Sequence, residues 1–200
     1  MSYDKDYDVV HEALSQHVQL DKAEDQEALR SLAQRFSIRT FKEDDSLWEL
    51  STRTGQLHFI LSGVFAEYLV DGRVPHILRF YPKNRFAYSE DLILYSTNPA
   101  TYATCLVEAR VASISASALA EYLVNEELGG KLLPSLIVLS MTEYRNTTYE
   151  MLQTGGIHRI HAAIEQFPDI LSLIPRKQLA DYLGISRASL FRSLKQIEND

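Results

Sequence analysis

Near the start of the chain, apolar positions recur at spacings of three and four. Val9, Val10, Ala13, Leu14 and Val18 share one face, so residues 1–35 read as helix. Asp21 followed by Glu24 has the spacing of a capping box and predicts a second helix, with Ala28, Leu29 and Leu32 inward. From Phe36 the period shortens. Phe36, Ile38 and Thr40 alternate, and Leu47, Trp48 and Leu50 form a short apolar run. Leu57–Leu61 and Val64–Val70 read as strands separated by Ser62-Gly63. Asp71-Gly72 predicts a two-residue hairpin with φ > 0 at both central positions. Val74–Phe80 then returns as the partner strand, Pro75 marking an edge or a bulge. Alternation resumes through Tyr102, Thr104, Leu106 and Val111, which predicts an all-β barrel or sandwich over about residues 36–115.

Helical periodicity follows. Ser117 is placed to cap a short helix through Leu123, Gly129-Gly130 reads as a break, and Pro134 suits a first helical turn. From Pro134 to about Gln153 the pattern predicts a long helix of about 30 Å. Leu133, Ile137, Met141, Tyr144, Thr148 and Met151 form one stripe, and Leu132, Leu136 and Leu139 a second beside it. A helix apolar on two sides needs two neighbours. Either both lie inside one domain, or the barrel covers one side and the matching helix of a second copy the other, the spacings being close to a coiled-coil seam. Gly155-Gly156 reads as a hinge.

Beyond it, Pro175 starts a helix with Leu179 and Leu183 inward, and Gly184 ends it. Ser186 caps the next, whose inward face is Leu190, Leu194 and Ile197. Ala180 is small where the two would cross. A pair of short helices joined by a glycine-containing turn is a helix-turn-helix unit.

Composition narrows the function classes. With 46% apolar and 24% charged residues in a chain of 200, a real core is expected, so neither a fibre nor a disordered tail fits. The apolar run Leu132–Met141 is too short to cross a bilayer, and the start lacks a secretory layout, so a cytoplasmic protein is expected. The single cysteine, Cys105, allows no internal disulfide and no four-cysteine cluster. Net charge is −7, yet Arg176, Lys177, Arg187, Arg192 and Lys195 are opposed within their stretch only by Asp181, giving +4. A confined basic patch on an acidic body is the footprint of nucleic-acid binding. On the second helix of the unit, Ala188, Arg192, Lys195 and Gln196 lie opposite the apolar face, and Arg187 sits at its N-terminal edge. Arginine pairs with guanine O6 and N7, so Arg187 and Arg192 are the candidate base readers. Ser186 and Ser189 join them as candidate DNA-binding residues, while Arg176, Lys177 and Lys195 suit backbone phosphates.

With these residues in view, the chain resembles the Crp/Fnr family of bacterial transcription regulators. Phe59-Ile60-Leu61-Ser62-Gly63-Val64 is similar to the strand–Ser–Gly–strand signature of the family's cyclic-nucleotide-binding β-roll. The helix from Pro134 resembles its dimer helix, the segment from Arg176 its DNA-binding helices, and His158-Arg159 through Ile174-Pro175 its linker helix. The resemblance implies a mixed α and β fold: an N-terminal double-stranded β-helix (a jelly roll) with flanking helices, a long dimerisation helix, and a C-terminal all-α helix-turn-helix domain. It divides the chain into a sensor domain at 1–130, a dimerisation helix at 131–154 and a DNA-binding domain at 155–200. The implied partners are double-stranded DNA, a second copy of the chain through 134–153, an unnamed small-molecule effector and RNA polymerase; no membrane is implied. The family's base-reading arginines carry over to Arg187 and Arg192, but its acidic residue between them is Ala188 here, which implies a different operator. Phe191 stands where small residues are common and either meets a thymine methyl or packs on its own domain. The wing that usually follows the reading helix is not expected within the sequence ending at Asp200.

Cyclic-nucleotide members of the family hold the phosphate with a Gly-Glu pair and a later arginine. Here Phe86–Leu92 and Pro99–Ala103 correspond, and Tyr88 and Glu90 are the candidate effector-binding residues. No arginine occupies the second stretch, and Arg79 and Arg85 have the wrong spacing, so no response to cyclic AMP is expected. The competing reading is a small-molecule-binding β-barrel or enzyme with a helical protein-interaction appendage. His58, His76 and Glu67 lack the spacing of a barrel metal set, and His158 and His161 lack a third ligand. Neither a cofactor, a metal nor a catalytic residue is predicted.

Overall fold

The computed structural model describes residues 3–18, 20–71, 74–95, 97–124, 126–152 and 155–197. Helices α1 (Tyr3–His17) and α2 (Ala23–Gln34) lead into strands β1 (Ser37–Phe41), β2 (Ser46–Trp48), β3 (Gln56–Asp71), β4 (Val74–Pro82) and β5 (Phe86–Ala87). A short helix α3 (Glu90–Leu94) precedes β6 (Thr101–Ser115), and the remainder is helical: α4 (Ala116–Leu123), α5 (Glu126–Leu152), α6 (Gly156–Gln166), α7 (Ile170–Leu173), α8 (Arg176–Tyr182) and α9 (Arg187–Ile197). The antiparallel sheet runs in the order β1-β6-β3-β4, with β2 on β6 and β5 on β3. The result is the mixed α and β architecture expected from the sequence, a β-roll flanked by helices and followed by a helical C-terminal region.

Strand β3 organises the molecule. Leu57 to Val70 forms one strand, where the pattern suggested two, and Ser62-Gly63 is an irregularity within it. Gly63 has φ +83, and a Cβ there would lie 2.5 Å from the Cα of Ala109, so only glycine fits. The extra residue reverses the alternation. Before it, Leu57, Phe59 and Leu61 face α1, α2, α4 and α5; after it, Val64 and Ala66 face the C-terminal helices. Ile60 and Phe65 join Phe41, Trp48, Tyr81, Cys105 and Val111 inside the roll. One strand thus supplies side chains to all three hydrophobic clusters.

Several boundaries differ from expectation. The cap of α2 is Lys22, without a side-chain bond, rather than Asp21, and α4 is capped by Ser115, whose Oγ accepts from Ala118 N–H, rather than by Ser117. Helix α5 begins at Glu126, about two turns ahead of Pro134, and runs through Gly129-Gly130. Burial decides this: Leu128, Leu132 and Leu136 make a continuous inward row, whose burial outweighs the propensities of glycine and proline. Gly129 is instead a packing residue, since a Cβ there would lie 2.0 Å from the carbonyl oxygen of Leu123. In the hairpin, Asp71 pairs with Val74 and belongs to the strand; the predicted turn dihedrals at Gly72 fall outside the described residues. Pro75 lies on β4, the end strand of the sheet path, where a missing N–H is tolerated.

Candidate nucleic-acid interface

The C-terminal unit is built as its pattern demands. Helix α8 follows Pro175 and is closed by Gly184 at φ +61, while Arg159 Nη1 donates to the Leu183 carbonyl at 2.9 Å. Ser186 Oγ accepts from Ser189 N–H at 3.1 Å and so caps α9, satisfying a donor that the helix start leaves unpaired. Leu179, Ala180, Leu183, Leu190 and Leu194 pack together with Ile160, Ala163, Ile170 and Ile174. Locking these apolar rows inward turns the opposite face of α9 to solvent. Arg187, Ala188, Arg192 and Lys195 are all exposed there, as are Arg176 and Lys177 at the start of α8 and Ser186 at the cap. Ser189 is partly buried; its hydroxyl lies 2.9 Å from Ser186 Oγ and accepts from Arg192 Nη2 at 3.3 Å. Each sequence-nominated basic side chain therefore faces outward, on two helices held at a fixed mutual position by one core. Phe191, on the same helix, is 55% exposed.

The unit is docked on the roll rather than held by its linker alone. Val64, Ala66, Ile77 and Leu106 share its hydrophobic cluster, the rings of Phe80 and Tyr182 lie 4.8 Å apart, and Ile77 N–H donates to Asp181 Oδ2 at 3.3 Å.

The candidate effector residues lie elsewhere, at the mouth of the roll beneath α5. Tyr88 donates its hydroxyl to the Leu136 carbonyl at 2.8 Å, and burial raises its pKa to about 12. Glu90 Oε1 accepts from Arg79 Nη2 at 3.2 Å and from Ser140 Oγ at 2.5 Å. Arg79, set aside on sequence spacing, is the centre of this cluster. It is buried, donates from Nε to Glu67 Oε2 at 2.5 Å and from Nη1 to Ser140 Oγ at 3.3 Å, and lies 3.8 Å from Glu143 Oε2. Its guanidinium carbon sits 4.3 Å from the Tyr144 ring centroid and 4.9 Å from that of Tyr81. Glu67 is saturated in turn, accepting from Tyr81 at 2.7 Å and from Thr101 at 2.6 Å. Burial works against the charge of Arg79, and the negative groups around it more than offset that, so it stays protonated. Burial also raises the pKa of Glu143, with Arg79 and Arg85 pulling partly the other way. The adjoining cavity, bounded by Arg79, Arg85 and Glu143 from the roll and α5 and by Phe167 and Tyr182 from the C-terminal unit, measures about 40 Å³. That volume suits water rather than a nucleotide.

The sequence missed this cluster through a register error. A turn at Asp71-Gly72 would set Glu67 opposite His76; the pairing of Asp71 with Val74, plus an irregularity between Glu67 and Tyr68, sets it opposite Arg79. Of the histidines weighed from the sequence, His58 is buried with Nδ1 2.8 Å from Ser113 Oγ, and His76, His158 and His161 are exposed. Among the described residues, no group of three or more His, Cys, Asp or Glu side chains is arranged to hold a metal, and no helix is long and apolar enough to cross a membrane.

No family model and no curated protein matches the sequence. Solved structures do match the fold. FixK2 from Bradyrhizobium japonicum aligns at a TM-score of 0.65, covering 82% of this chain and 85% of its own at 13% identity. The fold is that of the Crp/Fnr regulators. CLP, a c-di-GMP responsive global regulator of Xanthomonas campestris, aligns at 0.60 over 90% of this chain and 93% of its own, at 16% identity. A CooA variant from Carboxydothermus hydrogenoformans aligns at 0.57 over 84% and 79%, at 11% identity. Coverage of this breadth means that the Crp/Fnr fold takes in the roll, the long helix and the C-terminal helices together.

Proposed function

We propose that this protein is a cytoplasmic, sequence-specific DNA-binding transcription regulator of the Crp/Fnr type that acts as a homodimer on a pseudo-palindromic operator. The observation that carries the reading is the outward row Arg187, Arg192 and Lys195 on a capped helix, within a +4 stretch of a −7 protein. In this reading α9 enters the major groove, Arg187 and Arg192 address base edges with Ser186 and Ser189 beside them, and Arg176, Lys177 and Lys195 neutralise phosphates. Residues 155–200 form the DNA-binding domain, 1–130 the sensor and 131–154 the dimerisation segment. The regulator fold of the structural neighbours supports the assignment, as does the unpartnered side of α5. There Val138, Met141 and Leu152 are exposed, while Leu132 and Leu136 on the other side are buried against the roll. A second copy of α5 covers that face. RNA polymerase is the partner through which such a regulator acts.

Selection of bound fragments from random duplex DNA tests the reading. An enriched two-fold-related motif is expected, with affinity falling by nearly one power of salt concentration for each phosphate neutralised. Absence of any motif together with salt-insensitive binding would refute it. Met141→Glu is expected to yield monomers in sedimentation; an unchanged dimer would place the subunit contact elsewhere.

A further inference from the structure

On the solvent side of α9 one residue is out of character. Phe191 lies one turn beyond Arg187 and one turn before Lys195, next to Arg192, and it is 55% exposed. The core beneath the helix is filled by Leu190 and Leu194, with Ile197 partly buried beside them, and Phe191 is left more than half exposed. An exposed aromatic loses the free energy that burial of its surface would return, and phenylalanine has only middling helix propensity. Its surroundings define what can cover it. Arg187, Arg192 and Lys195 are cations that a protein surface would have to desolvate or pair, whereas in a DNA groove they meet phosphates and guanine edges. The major groove offers one apolar group for an aromatic side chain, the 5-methyl of thymine.

We infer that Phe191 is a specificity-determining residue that reads a thymine by its methyl group, alongside the arginines. This rests on the DNA-binding reading above. Ala188, also exposed on this face and lacking any hydrogen-bonding group, leaves the neighbouring step free of an acceptor for cytosine, so the recognition surface combines guanine donors with an apolar contact. No wedge between base steps is involved: the ring covers a methyl group at the groove floor.

The test uses full-length protein and the operator recovered by selection. Each thymine of a half-site is replaced by uracil in turn, which removes the methyl and leaves every groove donor and acceptor in place. Wild-type protein is expected to lose about four-fold in affinity at one position, the worth of one buried methyl group, and little at the others. Phe191→Ala is expected to bind thymine and uracil equally at that position, while Phe191→Leu keeps part of the discrimination. Because the side chain is outside the core, both variants should fold, which circular dichroism checks. Operator binding with no uracil-sensitive position, or with sensitivity unchanged in Phe191→Ala, overturns the role of Phe191 and leaves the regulator reading intact. Failure to recover any operator overturns both.

Discussion

Arg192 and Lys195 stand one turn apart on the exposed side of α9, and in the proposed reading their chemistry divides the work of recognition. Arg192→Ala should relax base preference and cost about 1–3 kcal/mol on the selected operator, whereas Lys195→Ala should weaken specific and random duplexes about equally. Competition binding at fixed salt separates the two; equal losses on both DNAs for both variants would contradict the division. His58 makes a different prediction, on stability. Burial, then the charge of Arg39, lowers its pKa to about 3, so the folded protein holds it neutral. Below its ordinary value near 6.5 the unfolded chain takes up a proton that the folded chain refuses, so stability falls as pH drops from about 6.5 toward 3. The slope approaches about 1.4 kcal/mol per pH unit for one such proton. Urea unfolding at pH 6.5, 5.5 and 4.5 should show that loss in the wild type and a shallower one in His58→Gln. At this scale the basic residues were legible in the sequence, because exposed charge opposite an apolar row needs only the helical period. Arg79 was not, because its partners Glu67, Glu90 and Ser140 come from β3, α3 and α5.

Among the elements, α5 departs most from its sequence pattern. Local propensity puts a break at Gly129-Gly130, yet the helix passes through both because Leu128, Leu132 and Leu136 bury on one side. The two glycines should therefore respond in opposite ways. Gly129→Ala collides with the Leu123 backbone and should destabilise by roughly 1–3 kcal/mol. Gly130→Ala has nothing within 4 Å and should stabilise by up to about 1 kcal/mol through helix propensity. Thermal melts of the two variants check the signs. β3 carries a related lesson. Its glycine looked like a boundary between two strands and is a bulge inside one, since pairing with β6 continues on both sides of it.

Across the whole molecule, the two faces of β4 meet different partners. Arg79 and Tyr81 point into the roll, where Arg79 touches α5, while Ile77 and Phe80 point outward to Asp181 and Tyr182 of α8. A change at the mouth of the roll can therefore reach the C-terminal unit through one strand, beside the route through α5 and Gly155. Phe80→Ala should loosen that docking and speed amide hydrogen exchange in α8 while leaving α1 and α2 unchanged; equal protection throughout would argue against the strand route. The charge cluster also bears on ligands. With Arg79 already neutralised by Glu67 and Glu90, a cyclic phosphate finds no free cation there, so titration with millimolar cyclic AMP should give no binding isotherm; micromolar affinity would overturn this. By itself the sequence determined the succession of an N-terminal helical, a central β and a C-terminal helical region, the helix-turn-helix with its cap and closing glycine, and the outward basic row, because each depends on the period and chemistry of a few neighbouring residues. Only the tertiary structure decided the register of β3 on β4, the passage of α5 through its glycines, the buried arginine cluster and the docking of the C-terminal helices on the roll. Those depend on side chains distant in sequence competing for the same interior, and burial, not local preference, sets the outcome.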